Sequence, residues 1–158
     1  MSTFSIQLRS ITAVCFFLLA TGTSLADGLA IQRNATDGAP FSSSIWVGDQ
    51  LYVAGMLPDD ISGNTRAQTT STLLAIKKVL QSQGLDMADV IQMRVYLLGD
   101  PALGGKMDFA AMNASYLEFF GTASQPNRPV RATVQVAGLA RAGALVEIEV
   151  IAARKASR

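Results

Sequence analysis

Histidine is absent from this chain of 158 residues, and cysteine occurs once, as Cys15. The first absence excludes Ser-His-Asp and Cys-His nucleophilic sites, which need imidazole to take the nucleophile's proton. Together the two absences exclude zinc and other transition-metal centres built on imidazole or thiolate, so no metal is expected. A single cysteine also rules out an internal disulfide, and the fold must be held by packing alone. Neither GxGxxG nor GxxxxGK[ST] occurs, so the usual phosphate-cradling loops are missing. Asp59-Asp60-Ile61-Ser62-Gly63-Asn64 is rich in oxygen but lacks the spacing of a calcium loop, and it reads as a turn. Proton transfer, if there is any, falls to carboxylates, Tyr, Lys, bound water or the backbone.

Net charge of either sign is also lacking. The chain has 13 basic and 12 acidic side chains, which gives no field for neutralising phosphates and argues against a nucleic-acid partner. Charge is scarcest at the beginning. Arg9 and the amino terminus precede an apolar run from Ile11 to Ala20, and Ser24-Leu25-Ala26 puts small residues where a signal peptidase reads. Residues 1–26 are therefore expected to be a secretory signal peptide, and the mature protein is expected to be periplasmic or secreted. An uncleaved anchor is the alternative, but the run is short of the ~20 residues a membrane span needs. Beyond residue 26 the chain carries 12 basic and 12 acidic side chains, with no further membrane contact expected. Residues 27–158 suit one domain with one core.

Along that domain the pattern is α/β. Residues 27–40 read as a mixed polar leader. Ser44–Val47 and Leu51–Ala54 read as strands joined by a tight turn at Gly48-Asp49, where glycine supplies a positive φ. Arg66 to Gln83 repeats Leu73, Ile76 and Leu80 at helical spacing and stops at Gly84. Val90 to Leu98 is a strand with Ile91, Met93, Val95 and Leu97 on one face. Lys106 to Phe120 is a second helix, closed by Gly121, and Arg131–Val136 and Leu145–Ala152 are the last strands.

Two polar signals stand out. After Pro129, the run Val130 to Val136 puts Arg131, Thr133 and Gln135 on one face and Ala132, Val134 and Val136 on the other. An arginine on a rigid strand can hold a carboxylate through two parallel hydrogen bonds, or it can be a solvated strand-end charge. In Val146-Glu147-Ile148-Glu149-Val150 the two glutamates share a face. They read either as a solvated edge or as the acid–base group that a histidine-free enzyme would need.

Pro129-Val130-Arg131-Ala132, Gly138-Leu139 and Val146-Glu147-Ile148-Glu149 together resemble the C-terminal signature of the RidA (YjgF) family. The resemblance extends through Pro40-Phe41-Ser42, Val53 to Pro58, Gln68, Ile76 to Leu85, Val90, and Met112-Asn113-Ala114-Ser115-Tyr116. It implies a chorismate-mutase-like α/β (α+β) fold, a mixed six-stranded sheet with two helices packed on one face. It also implies a homotrimer with ligand clefts between subunits. The implied activity is cofactor-independent hydrolysis of reactive enamines and imines, such as 2-aminoacrylate, to 2-keto acids and ammonia. By position Arg131 would clamp the substrate carboxylate and Glu147 would orient the attacking water. Gly55 would offer backbone to the ligand, and Phe41 and Asn113 would shape the cleft. This chain departs from the family pattern at Phe41, where a tyrosine is common, at Ala54, where a small hydroxyl residue is common, and at Thr133, where Cys or Ser is common. These departures imply altered substrate preference or reduced turnover, while Arg131 and Glu147 imply that carboxylate binding survives. A non-catalytic periplasmic module that binds small keto or amino acids is the second reading. A ribonuclease is the third, and neutral charge with no histidine argues against it.

Overall fold

The computed structural model describes residues 29–155, so the expected signal peptide lies outside the described residues. Six strands form one sheet in the order β1-β2-β3-β6-β4-β5. They are β1 (Ile31–Asn34), β2 (Ser44–Val47), β3 (Gln50–Met56), β4 (Val90–Leu98), β5 (Val130–Val136) and β6 (Val146–Ala153). Neighbours are antiparallel except β4 and β5, which run parallel. A parallel pair needs a crossover, and α2 (Phe109–Phe119) supplies it, while α1 (Thr65–Ser82) joins β3 to β4. The mixed six-stranded sheet with two helices is the architecture implied by the resemblance.

The helices cover one face, called inner below. There Leu51 and Val53 of β3, Met93, Val95 and Leu97 of β4, and Val146, Ile148 and Val150 of β6 are buried. Leu73, Ile76 and Leu80 of α1 are fully buried against them, at the helical spacing read in the sequence. Asn64 starts α1 by accepting a hydrogen bond from the Ala67 N–H, and Gly84 ends it at φ +74°, a conformation that favours glycine. Gln68, 1% exposed, ties the first turn of α1 to the approach of β6. Its amide donates to the carbonyls of Ile61 and Gly143 at 2.8 and 3.0 Å, and its Oε1 accepts from the Leu145 N–H at 2.8 Å.

Three local expectations are corrected. Residues 27–40 include a strand: β1 pairs with β2 from Ile31↔Val47 to Asn34↔Ser44. Its side chains are mostly exposed, so it is held by backbone hydrogen bonds and shows no apolar alternation. The second helix starts at Phe109 instead of Lys106. Lys106 pairs with Asp100 across a short bridge, and Asp108 caps the helix by accepting from the Ala111 N–H at 2.9 Å. Finally, Ile91 does not share a face with Met93. A bulge between Val90 and Gln92 shifts the register, so Val90 is buried and Ile91 is exposed.

Candidate functional site

Arg131 lies directly opposite Met93 in the parallel register, so it points to the inner face at the open edge of the sheet. There it meets one stripe of α2. Phe109, Met112, Asn113 and Tyr116 recur at helical spacing, and each touches the guanidinium. The Arg131 carbon Cζ lies 4.2 Å from the Tyr116 ring centroid and 5.7 Å from that of Phe109. Nη2 donates to Asn113 Oδ1 at 3.0 Å, and Nη1 is 3.9 Å from the Met112 sulfur. The side chain is half-buried, and no ion pair among the described residues includes it. Burial pushes the Tyr116 phenol above its ordinary pKa, against the opposing pull of Arg131 and Arg128. The ring beneath the cation is therefore neutral.

On β5 the polar residues face the helices and the apolar ones face outward. Val130 is 69% exposed and Val134 is 47% exposed on the outer face, with Ala132 between them. Gln135 secures the approach to α2: Nε2 donates to the Gly105 carbonyl at 2.8 Å, and Oε1 accepts from the Met107 N–H at 3.0 Å. Thr133, two residues from Arg131 on the same face, has a buried hydroxyl without a hydrogen-bond partner among the described residues.

Glu147 is on the other face. It pairs with Tyr96, and its neighbour Ile148 pairs with Val95 on the inner face. Gly55 lies at a bulge of β3, where a Cβ would overlap the Glu147 carboxylate. The missing side chain is what makes room for that carboxylate. The Ala54 N–H donates to the Ser43 carbonyl at 3.0 Å, which lays the segment carrying Phe41 beside the same bulge. Phe41 itself is 67% exposed. Glu149 pairs with Arg94 at 2.5 Å, and partial burial, together with Glu149, raises the Tyr96 pKa. An outer-face cavity of about 340 Å³ opens beside this group, bordered by Ser42, Tyr52, Ala54, Arg94 and Glu149.

The residues singled out from sequence thus fall into two candidate half-sites within one chain. Arg131 and Asn113 touch each other on the inner face at β5. Glu147 and Gly55 touch each other on the outer face at β6 and β3. Strand β4 and the thickness of the sheet separate them. Sequence reasoning missed Phe109 and Tyr116 as neighbours of Arg131. Their signal was present as the 109, 112, 113, 116 spacing on one helix, but nothing in the sequence says which strand that stripe faces. Among the described residues no cluster of acidic side chains could hold a metal ion.

The family model described as Endoribonuclease L-PSP matches residues 32–154. A RutC family protein of Pyrococcus horikoshii is 36% identical over 119 residues, covering 72% of this chain and 86% of that relative. An Escherichia coli protein named "Putative reactive intermediate deaminase TdcF" is 30% identical over 133 residues, covering 80% of this chain and 97% of its own length. A crystal structure of NMB1025, a YjgF family protein of Neisseria meningitidis, superposes with a TM-score of 0.65 at 30% identity, covering 82% of this chain and 99% of that one. On the family match over residues 32–154 and these relatives, the chain belongs to the YjgF (RidA) family, the group described by the L-PSP family model.

Proposed function

We propose that this protein hydrolyses reactive enamine and imine intermediates of the 2-aminoacrylate type to 2-keto acids and ammonia, without a cofactor. The family and the name of the E. coli relative support a deaminase. The observation that carries the finer reading is Arg131: a half-buried guanidinium, already ordered by two rings and an amide, with no carboxylate to neutralise it among the described residues. Such a group is an anion site, and a 2-imino acid brings a carboxylate that fits its planar fork.

The chemistry requires little else. An enamine first tautomerises to the imine, and water then adds to the imine carbon. Glu147 accepts a proton from that water and returns it to nitrogen. The resulting carbinolamine collapses, breaking the C–N bond, forming the C=O bond and releasing ammonia. Because Arg131 and Glu147 lie on opposite faces of one sheet, a cleft using both is built from two protomers. Arg131 and Asn113 come from one, and Glu147, Gly55 and Phe41 from its partner. A homotrimer closes this arrangement with three equivalent clefts. Export through the leader of residues 1–26 would put the reaction outside the cytoplasm, so its imines would come from amino-acid oxidation there.

The test is release of ammonia and keto acid from imines generated by an amino-acid oxidase. Arg131→Ala should weaken 2-ketobutyrate binding by one to several powers of ten, at ~1.5–3 kcal/mol per hydrogen bond to a charged group. Arg131→Lys should restore only part of it, because an ammonium lacks the planar fork. Ligand binding with no imine turnover would favour the binding-module reading. Binding by Arg131→Ala equal to the parent's would sink both.

A further inference from the structure

A carboxylate clamp faces a design conflict. A long arginine must be held still to bind well, but the usual way of holding it, an ion pair with Asp or Glu, neutralises it and competes with the ligand. The surroundings of Arg131 avoid this conflict. Among the described residues its ring contacts and hydrogen bonds are all with uncharged groups: the Tyr116 and Phe109 rings, the Asn113 amide oxygen and the Met112 sulfur. Aromatic faces attract a guanidinium through their quadrupole and leave its in-plane N–H edge free.

Of these contacts Tyr116 is the best anchored. Its ring lies nearest the cation, at 4.2 Å, and is 7% exposed. It stacks on Phe120 with centroids 4.8 Å apart and planes 20° from parallel. Phe120 is fully buried in the core cluster. A continuous stack therefore runs from the core through Phe120 and Tyr116 to Arg131. Phe109 is more distant at 5.7 Å and is itself exposed at the start of α2. The raised pKa of the Tyr116 phenol keeps the ring uncharged, so it does not become the competing anion. Tyr116 meets the site through the guanidinium that its ring underlies.

We propose that Tyr116 is a positioning residue that holds the Arg131 guanidinium flat, so that the N–H donors not taken by Asn113 and Met112 meet the substrate carboxylate already oriented. This rests on the reading of Arg131 as the carboxylate clamp. Because the ring acts on binding and leaves the water-handling half-site untouched, its loss should appear in KM and in the affinity for keto acids, with kcat preserved. The ring, and not the hydroxyl, is the working part.

The experiment compares Tyr116→Phe with Tyr116→Leu by calorimetry against 2-ketobutyrate and by imine turnover. Tyr116→Phe should bind within about twofold of the parent, and Tyr116→Leu about tenfold more weakly, on the scale of a partly desolvated cation–π contact. In an Arg131→Ala background, Tyr116→Leu should cost nothing further, since the group it orients is gone. A folded Tyr116→Leu protein that binds like the parent overturns the proposal, as does an equal loss in the two backgrounds. If Tyr116→Leu does not fold, the Arg131 Nε–H resonance decides, identified by its disappearance in Arg131→Lys. A ring-current upfield shift and slow exchange support the stack, and a random-coil position overturns it. Failure of the clamp is separable: Arg131→Ala would then bind like the parent whatever Tyr116 does.

Discussion

Gly55 and Thr133 show how single atoms shape the two half-sites. Gly55 has no positive φ, so alanine suits its backbone, and the added Cβ meets the far end of a flexible side chain instead of fixed backbone. Gly55→Ala should therefore fold with nearly parental stability while pushing the Glu147 carboxylate aside. Imine turnover should fall ~10²-fold, the scale of a displaced acid–base group, with keto-acid affinity little changed if Arg131 dominates binding. A Gly55→Ala protein with parental turnover would remove Glu147 from the chemistry. Thr133 carries the opposite signature. Its hydroxyl is buried without a partner among the described residues, an expensive arrangement for a polar group. Thr133→Val keeps the shape and removes the unsatisfied group, so urea unfolding should show a gain of about 1 kcal/mol. A loss of stability would mean that the hydroxyl is satisfied by a bound water.

At the scale of elements, the legible parts of the fold were those written in side-chain period. Helix α1 is found within one residue at each end because Leu73, Ile76 and Leu80 repeat above a fully covered sheet. Strand β6 alternates buried and half-buried along its whole length, as Val146 to Val150 announces. Strand β1 was not legible, because an edge strand held by its backbone leaves no pattern in its side chains. The start of α2 was misplaced because Lys106 and Met107 look helical while Gln135, 28 residues away, holds Met107 in a loop. The alternation of β5 was legible, but not its direction: nothing local tells which face α2 will cover. Gln68 belongs to this scale as well, since one side chain joins α1, the Ile61 turn and the entry to β6. Gln68→Ala should leave three backbone groups without their partner and lower stability by about 3 kcal/mol. A drop below 0.5 kcal/mol, roughly the effect of an ordinary surface change, would show that water replaces the amide.

For the whole molecule the decisive fact is that Arg131 and Glu147 face opposite sides of one sheet. A single chain cannot bring them to the same small substrate, so the proposed chemistry stands or falls with assembly. The outer face is suited to burial. Val130 and Val134 on β5 and Tyr52 on β3 are exposed there, apolar surface that the proposed neighbouring protomers would cover. In the proposed cyclic trimer every cleft would take its arginine from one protomer and its glutamate from the next. This gives a test that depends on geometry and not on any single affinity. Arg131→Ala and Glu147→Gln should each be nearly inactive as homotrimers. Unfolded together in equal amounts and refolded, they should regain activity, because some clefts then join an intact Arg131 to an intact Glu147. Random assembly of a cyclic trimer predicts about a quarter of the parental rate, and light scattering on the mixture should give a trimer mass. Separately refolded variants mixed afterwards should recover activity only as fast as subunits exchange. If the co-refolded trimers stay inactive while each variant is folded and trimeric, the two residues do not share a cleft, and the hydrolytic mechanism must be rebuilt around one half-site alone.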